Sequence, residues 1–218
     1  MKIILIQSGP AYEILLLSSV LIGLKKRHPK AKILWVGEPE YFSLVKFNKR
    51  VSKCLNIHKS GDLVSLTNFY GSDICYNSSL NREAQKFAII TGASCHYGFK
   101  DGPVNRNALL LKNVMSGQAV TRKTILDLYY SLANMKWKGE GYGLSYYPKT
   151  KQTKNVGAYC HSEQSAEKFK LPKDLLNQFD TINQFSHIIT DDLFVLHASL
   201  ALRKKVTFTE TLPYNLNF

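Results

Sequence analysis

Residues Ile188–Val206 read IITDDLFVLHASLALRKKV, and the fold is decided by how this stretch is read. Its opening is apolar and ends on two carboxylates, Asp191 and Asp192. The segment LFVLHASLAL then reads as a helix with a histidine, His197, near its start, and KKV restarts an extended run. Strand, polar turn, helix and strand form the repeating unit of parallel sheets, which places ligand groups at the carboxyl end of the first strand. The rest of the chain is expected to wall a cleft in front of Asp191, Asp192 and His197.

The N-terminal half repeats that alternation. Lys2–Gln7 is a short apolar strand, SGPAYE is a turn, and ILLLSSVLIGLKKRHP is a helix that stops before Pro29. The turn holds one glycine, so it is no dinucleotide fingerprint. Further strands are expected at 31–37, 51–57, 73–76 and 95–99. Helical patterns lie at 38–47, 63–70 and 80–92, the last with a stop at Gly92. The stretch DGPVNRNALLLKNVMSG reads as irregular, and 118–135 as one amphipathic helix with Val120, Ile125, Leu128, Tyr129 and Leu132 along a face. KWKGEGYGLSYYPKTKQTK, with three glycines and a proline, reads as a linker. A strand at 156–160, a polar loop, and a helix from Pro172 to about Asn183 precede the opening stretch. The expected architecture is α/β, with two Rossmann-like parallel-sheet units at 1–137 and 155–218, joined by a linker at 138–154, the second unit reduced.

Composition narrows the function. The chain has 218 residues, 44% of them hydrophobic, which is ample for a packed core. No apolar run reaches the roughly 18 residues of a membrane span, and MKIILIQSGP reads as a first strand rather than a signal peptide. A cytoplasmic protein is expected, with contact to the inner face of a membrane as a further option. The net charge of +13 suits an anionic substrate, an anionic membrane face or nucleic acid. No nucleic-acid motif accompanies the scattered lysines, so nucleic acid is the poorest of the three matches. Cys54, Cys75, Cys95 and Cys160 are widely spaced and read as free thiols, and neither they nor His58 and His96 show metal-ligand spacing.

Three stretches together resemble glycosyltransferase family 9, the bacterial lipopolysaccharide heptosyltransferases. They are IILIQSGPAYEILLLSSVLIGLKKRHPKAKILWVGEPEY, HYGFKD and TDDLFVLHASLALRKKV. The last is similar to the family's Asp-Ser-Gly-x-x-His-x-Ala-x-Ala-x-Gly stretch. The resemblance implies the B-type glycosyltransferase fold, two Rossmann-like domains facing a cleft. It also implies transfer of a sugar from a nucleotide sugar to a lipopolysaccharide or other surface-glycan acceptor, with no cofactor and no metal.

Matched residue by residue, the resemblance puts Glu13 where the family has its acceptor-activating carboxylate, a catalytic base. An acidic residue favoured by the helix start is the alternative reading of Glu13. Asp192 and His197 match the donor-side motif, with Asp191 beside them. Their alternative is a helix cap with His197 packed against the first unit. Lys168 and Lys170 lie near the family's phosphate-contacting Lys-x-Trp-Pro stretch, one residue out of register. Arg106 and Lys112 are basic candidates for an anionic acceptor, while His161 and Ser162 end the strand at 156–160. Tyr12 stands where the family has glycine. Leu193 and Phe194 stand where it has small residues, and both side chains are expected to approach the donor phosphate. A non-catalytic descendant acting as a binding or scaffold protein is the alternative function. A homodimer or a protein partner would cover the sheet edge that the short second unit leaves open.

Overall fold

A computed structural model describes residues 1–58, 68–160 and 166–216. It holds two sheets, each with all its strands parallel. The first contains β1 (Lys2–Gln7), β2 (Lys32–Gly37), β3 (Lys53–Asn56), β4 (Ile74–Asn77) and β5 (Cys95–Gly98), in the order β3-β2-β1-β4-β5. The second contains β6 (Lys154–Tyr159), β7 (Glu167–Lys168), β8 (Phe185–Thr190) and β9 (Lys205–Phe208), in the order β7-β6-β8-β9. In each sheet the chain steps outward and then returns beside its starting strand. The order therefore reverses between β1 and β4 and between β6 and β8, which is where such sheets bind ligands.

Successive residues of a strand face opposite ways, and the core shows it. Ile3, Leu5, Ile33 and Trp35 enter one apolar cluster, while Ile4, Ile6, Leu34 and Val36 enter another on the far face. Helix α1 (Ala11–Arg27) and α2 (Arg82–Ile90) contribute to these opposite clusters. The first cluster does not stop at the first unit. It runs through α1 to Phe179 of α5 (Leu175–Asn183), to Val195 and Ala198 of α6 (Leu193–Ala201), and to Phe185 and Ile188 of β8. The two sheets thus share one apolar core.

Two expectations about helices are corrected. The stretch read as irregular holds a ten-residue helix, α3 (Arg106–Met115), whose Asn105 side chain accepts from Ala108 N at 2.9 Å. The single helix expected at 118–135 is only α4 (Ile125–Leu132). Thr124 starts it, accepting from Asp127 N at 3.1 Å while donating to the Asp127 carboxylate at 3.0 Å. This reciprocal cap fixes the start, leaving Val120 outside the helix and 81% exposed. The segment expected to be helical at 38–47 forms a 3₁₀ turn at Pro39–Leu44. Most of the helix expected at 63–70, together with His161 and Ser162, lies outside the described residues.

Residues 136–153 carry neither helix nor strand, yet they are bonded along their length. Gly143 N donates to Ser18 Oγ at 2.9 Å, and Gly143 O accepts from Asn48 Nδ2 at 2.8 Å. A Cβ on Gly143 would stand 2.3 Å from the Ser18 carbonyl, so only glycine lets this strap lie so close to α1. Buried Glu140 accepts from Lys26 Nζ at 3.0 Å and from Lys138 N at 2.8 Å. Further on, Tyr146 and Lys149 N both donate to the Asp180 carboxylate on α5. No helix among the described residues is long and apolar enough to cross a membrane. The four cysteines are free thiols, Cys75 buried and the others half-buried.

Candidate functional site

Glu13 lies in the first turn of α1, just beyond the carboxyl end of β1 and beside the β1/β4 reversal. The residue that starts this helix, Pro10, supplies no side-chain cap, and Glu13 is the acidic residue of the first turn. The carboxylate accepts from Gln7 Nε2 at 2.5 Å and from the Tyr12 hydroxyl at 3.3 Å. Gln7 is itself held, because its Oε1 accepts from the Ser78 hydroxyl. Ser8 and Ser79 close the same strand ends with a hydroxyl contact of 2.8 Å. Burial raises the Glu13 pKa above the usual carboxylate value, and the bonds from Gln7 and Tyr12 offset only part of that rise. Gly9 makes room for the arrangement, since a Cβ there would meet Glu13 Oε2 at 2.5 Å. A cavity of about 30 Å³ adjoins Glu13, lined among others by Ser78, Tyr129, Leu111 and Met115. Leu111 and Met115 belong to α3, so Arg106 and Lys112, both exposed, lie on the helix that borders the carboxylate.

On the second sheet, a cavity of about 550 Å³ opens at the β6/β8 reversal. Asp191, Asp192 and Lys168 line it together with Tyr159, Phe169 and Glu210. Three of the predicted donor-side residues are therefore brought together. Lys170 is exposed, two residues beyond β7, and does not line this cavity. Asp192 starts α6 by accepting from Val195 N at 2.9 Å, so one N–H of the helix start is already engaged. Phe194 is half-buried, its ring meeting Phe179 edge to face at 5.7 Å and packing against the core, and it does not line this cavity. Glu210, just past β9, was not anticipated. The signal was present in a carboxylate shortly after an extended run.

His197 lies away from this cavity and is fully buried. The Tyr142 hydroxyl of the strap is 2.8 Å from Nδ1, and the Tyr214 hydroxyl is 3.4 Å from Nε2. The ring of Tyr12 stacks on it with centroids 5.9 Å apart. Burial lowers its pKa to about 3, so the imidazole is neutral at physiological pH. The same burial holds Tyr12 and Tyr142 well above the ordinary phenol value and pushes Tyr214 up to about 12. Tyr12 thus links Glu13 and His197, its hydroxyl bonding to the first and its ring stacking on the second. Among the described residues no group of three or more His, Cys, Asp or Glu side chains is placed to hold a metal ion.

No family model and no curated protein sequence matches the chain. Solved structures match it by shape. Heptosyltransferase WaaC of E. coli, holding ADP-2-deoxy-2-fluoro heptose, aligns over 94% of this chain and 87% of its own, at 9% identity and a TM-score of 0.60. The E. coli ADP-heptose lipopolysaccharide heptosyltransferase II covers 94% of this chain and 83% of its own, at 12% identity and a TM-score of 0.65. A glycosyl transferase family 9 protein of Veillonella parvula covers 100% and 82%, at 13% identity and a TM-score of 0.62. The two parallel sheets and their helices therefore have the fold of heptosyltransferases and of glycosyltransferase family 9, the fold that the three sequence stretches implied.

Proposed function

We propose that this chain is a glycosyltransferase of the heptosyltransferase type, moving a sugar from a nucleotide sugar to the hydroxyl of a surface-glycan acceptor. The observation that carries this reading is the environment of Glu13. A carboxylate at the strand-order reversal, raised in pKa by burial and aimed by Gln7 and Tyr12, is a better base toward a hydroxyl than a solvated one. In this reading Glu13 takes the acceptor proton as the acceptor oxygen bonds to the anomeric carbon. The bond from that carbon to the diphosphate breaks, and the nucleoside diphosphate leaves with its electron pair. The cavity at β6/β8 receives the donor. Lys168 is its cation, Tyr159 and Phe169 offer faces to a sugar or base, and Asp191, Asp192 and Glu210 accept bonds from hydroxyl groups. Arg106 and Lys112, on the helix beside Glu13, attract an anionic acceptor.

The solved structures of similar fold include heptosyltransferase WaaC with ADP, so an ADP-linked sugar is the first donor to try. The test compares release of ADP from ADP-heptose by the wild type and by Glu13→Gln, with lipopolysaccharide acceptors added. The reading expects release by the wild type and a loss of about a hundredfold or more in the variant. Equal release by both would remove Glu13 as base.

One observation favours a second reading, a non-catalytic binding protein. Three carboxylates and one lysine line the donor-side cavity among the described residues, and that balance opposes a diphosphate. In that case the cavity takes a neutral sugar without its nucleotide, and no nucleotide binds.

A further inference from the structure

The end of the molecule away from Glu13 carries a different chemistry. Helix α1 runs from Glu13 to Lys25, a distance of about 18 Å at the helical rise per residue. Around its far end lies a cavity of about 610 Å³, lined by Lys25, Lys49 and Arg50 with Phe47 and Tyr147. Among the described residues no carboxylate lines it. None of the three cations is in an ion pair among the described residues. Lys25 Nζ donates to the carbonyls of Pro29 and Ala31, so it is held in place without a carboxylate partner among the described residues.

The two aromatic residues are out of place on an ordinary surface. Phe47 is 65% exposed, and Tyr147, at 87%, is the most exposed large hydrophobic side chain among the described residues. Tyr147 also borders an aromatic cavity of about 500 Å³ on its other side, where Trp137 and Tyr146 form part of the wall. A basic hollow flanked by protruding aromatics fits a surface with anionic phosphates above and apolar chains below. It fits single-stranded nucleic acid less well. Lys46 already sits 4.8 Å over the Phe47 ring, so one face that a base would stack on is taken.

The geometry points to this face as a docking surface for an anionic phospholipid bilayer. Phe47 and Tyr147 enter the interface, and Lys25, Lys49 and Arg50 lie against the headgroup phosphates. Docking there holds Glu13 at the other end of α1, clear of the headgroups. This inference does not depend on sugar transfer.

The test is co-sedimentation of the full chain with vesicles of phosphatidylcholine alone and of phosphatidylcholine mixed with phosphatidylglycerol. The variants are Lys49→Glu with Arg50→Glu, and Phe47→Ser with Tyr147→Ser. Arg122→Glu with Lys123→Glu makes the same charge change at another exposed place. The wild type is expected to sediment with the mixed vesicles only. The Lys49/Arg50 variant should lower its partition coefficient about tenfold or more, and the Phe47/Tyr147 variant severalfold, whereas the control pair changes it much less. Absence of binding, or patch variants that bind like the wild type, would overturn the inference. So would a control pair that weakens binding as much as the patch pair, which would make the attraction one of net charge. A single-stranded oligonucleotide that strips the wild type from vesicles and fails to bind the patch variants would overturn it in favour of nucleic acid.

Discussion

The ring of Tyr12 lies nearly parallel to that of His197, with an interplanar angle of 18°. Tyr12 belongs to the first turn of α1 and His197 to the middle of α6, so this stack joins the two sheet units at their shared core. It also explains how a tyrosine is tolerated where the resembling family has glycine. The ring fills the space between the units by stacking on His197, while its hydroxyl reaches back to the Glu13 carboxylate.

His197→Ala is expected to destabilise the chain by about 2–4 kcal/mol. It opens a cavity in the core and strips partners from the Tyr142 and Tyr214 hydroxyls. Urea unfolding measures this, and a cost near zero would show that the joint between units does not depend on the imidazole.

Acid should act through the same residue. The unfolded histidine titrates near 6.5, whereas in the fold the value is lowered to about 3. As pH falls below 6.5 the unfolded chain gains a proton that the folded chain refuses, so stability declines through that window. His197→Gln should flatten this decline relative to wild type in pH-dependent unfolding. Glu13 works in the opposite sense, because its pKa is raised by folding. Its contribution is present below the unfolded carboxylate value and is lost as pH rises through the folded one. Glu13→Gln should therefore gain stability over wild type as pH increases.

Gly143→Ala tests the strap. The added methyl meets the Ser18 carbonyl at 2.3 Å, so the backbone must move off α1 and stretch the bonds to Ser18 and Asn48. A loss of about 1–3 kcal/mol is expected, read as a lowered thermal midpoint.

Glu140→Ala should cost more than Lys26→Ala. The carboxylate side chain is 5% exposed and also holds Lys138 N, while the lysine is 65% exposed. Burial opposes ionisation of Glu140, but the bonds from Lys138 N and Lys26 outweigh it and hold the pKa below the usual value. About 1–3 kcal/mol is expected for the first change and under 1 kcal/mol for the second, compared by chemical denaturation.

The framework could be read from the chain because its strands are continuous apolar runs. KIILIQ and KILWVG are buried at every position but the first, as parallel strands covered on both faces require. Helix α3 is hard to see in the sequence because its three leucines and one asparagine cap are short-range signals set among glycine, proline and asparagine. The start of α4 was written in the sequence as Thr124 and Asp127 at capping-box spacing, and a longer amphipathic pattern obscured it. The site was legible only in part. The grouping of Asp191, Asp192 and Lys168 follows from strand order. The enclosure of His197 does not, because Tyr12, Tyr142 and Tyr214 arrive from three distant segments. Nor does the hold of Gln7 on Glu13, although a polar residue closing an apolar strand was the sign of it.

Calorimetric titration of the chain with ADP, alongside UDP and GDP, tests the central claim most directly, because it needs neither an acceptor nor turnover. Sugar transfer from a nucleotide donor predicts saturable binding of at least one nucleotide, weakened in Lys168→Ala and retained in Glu13→Gln. No heat of binding with any of the three at millimolar nucleotide would contradict it and leave the chain as a heptosyltransferase fold without its donor.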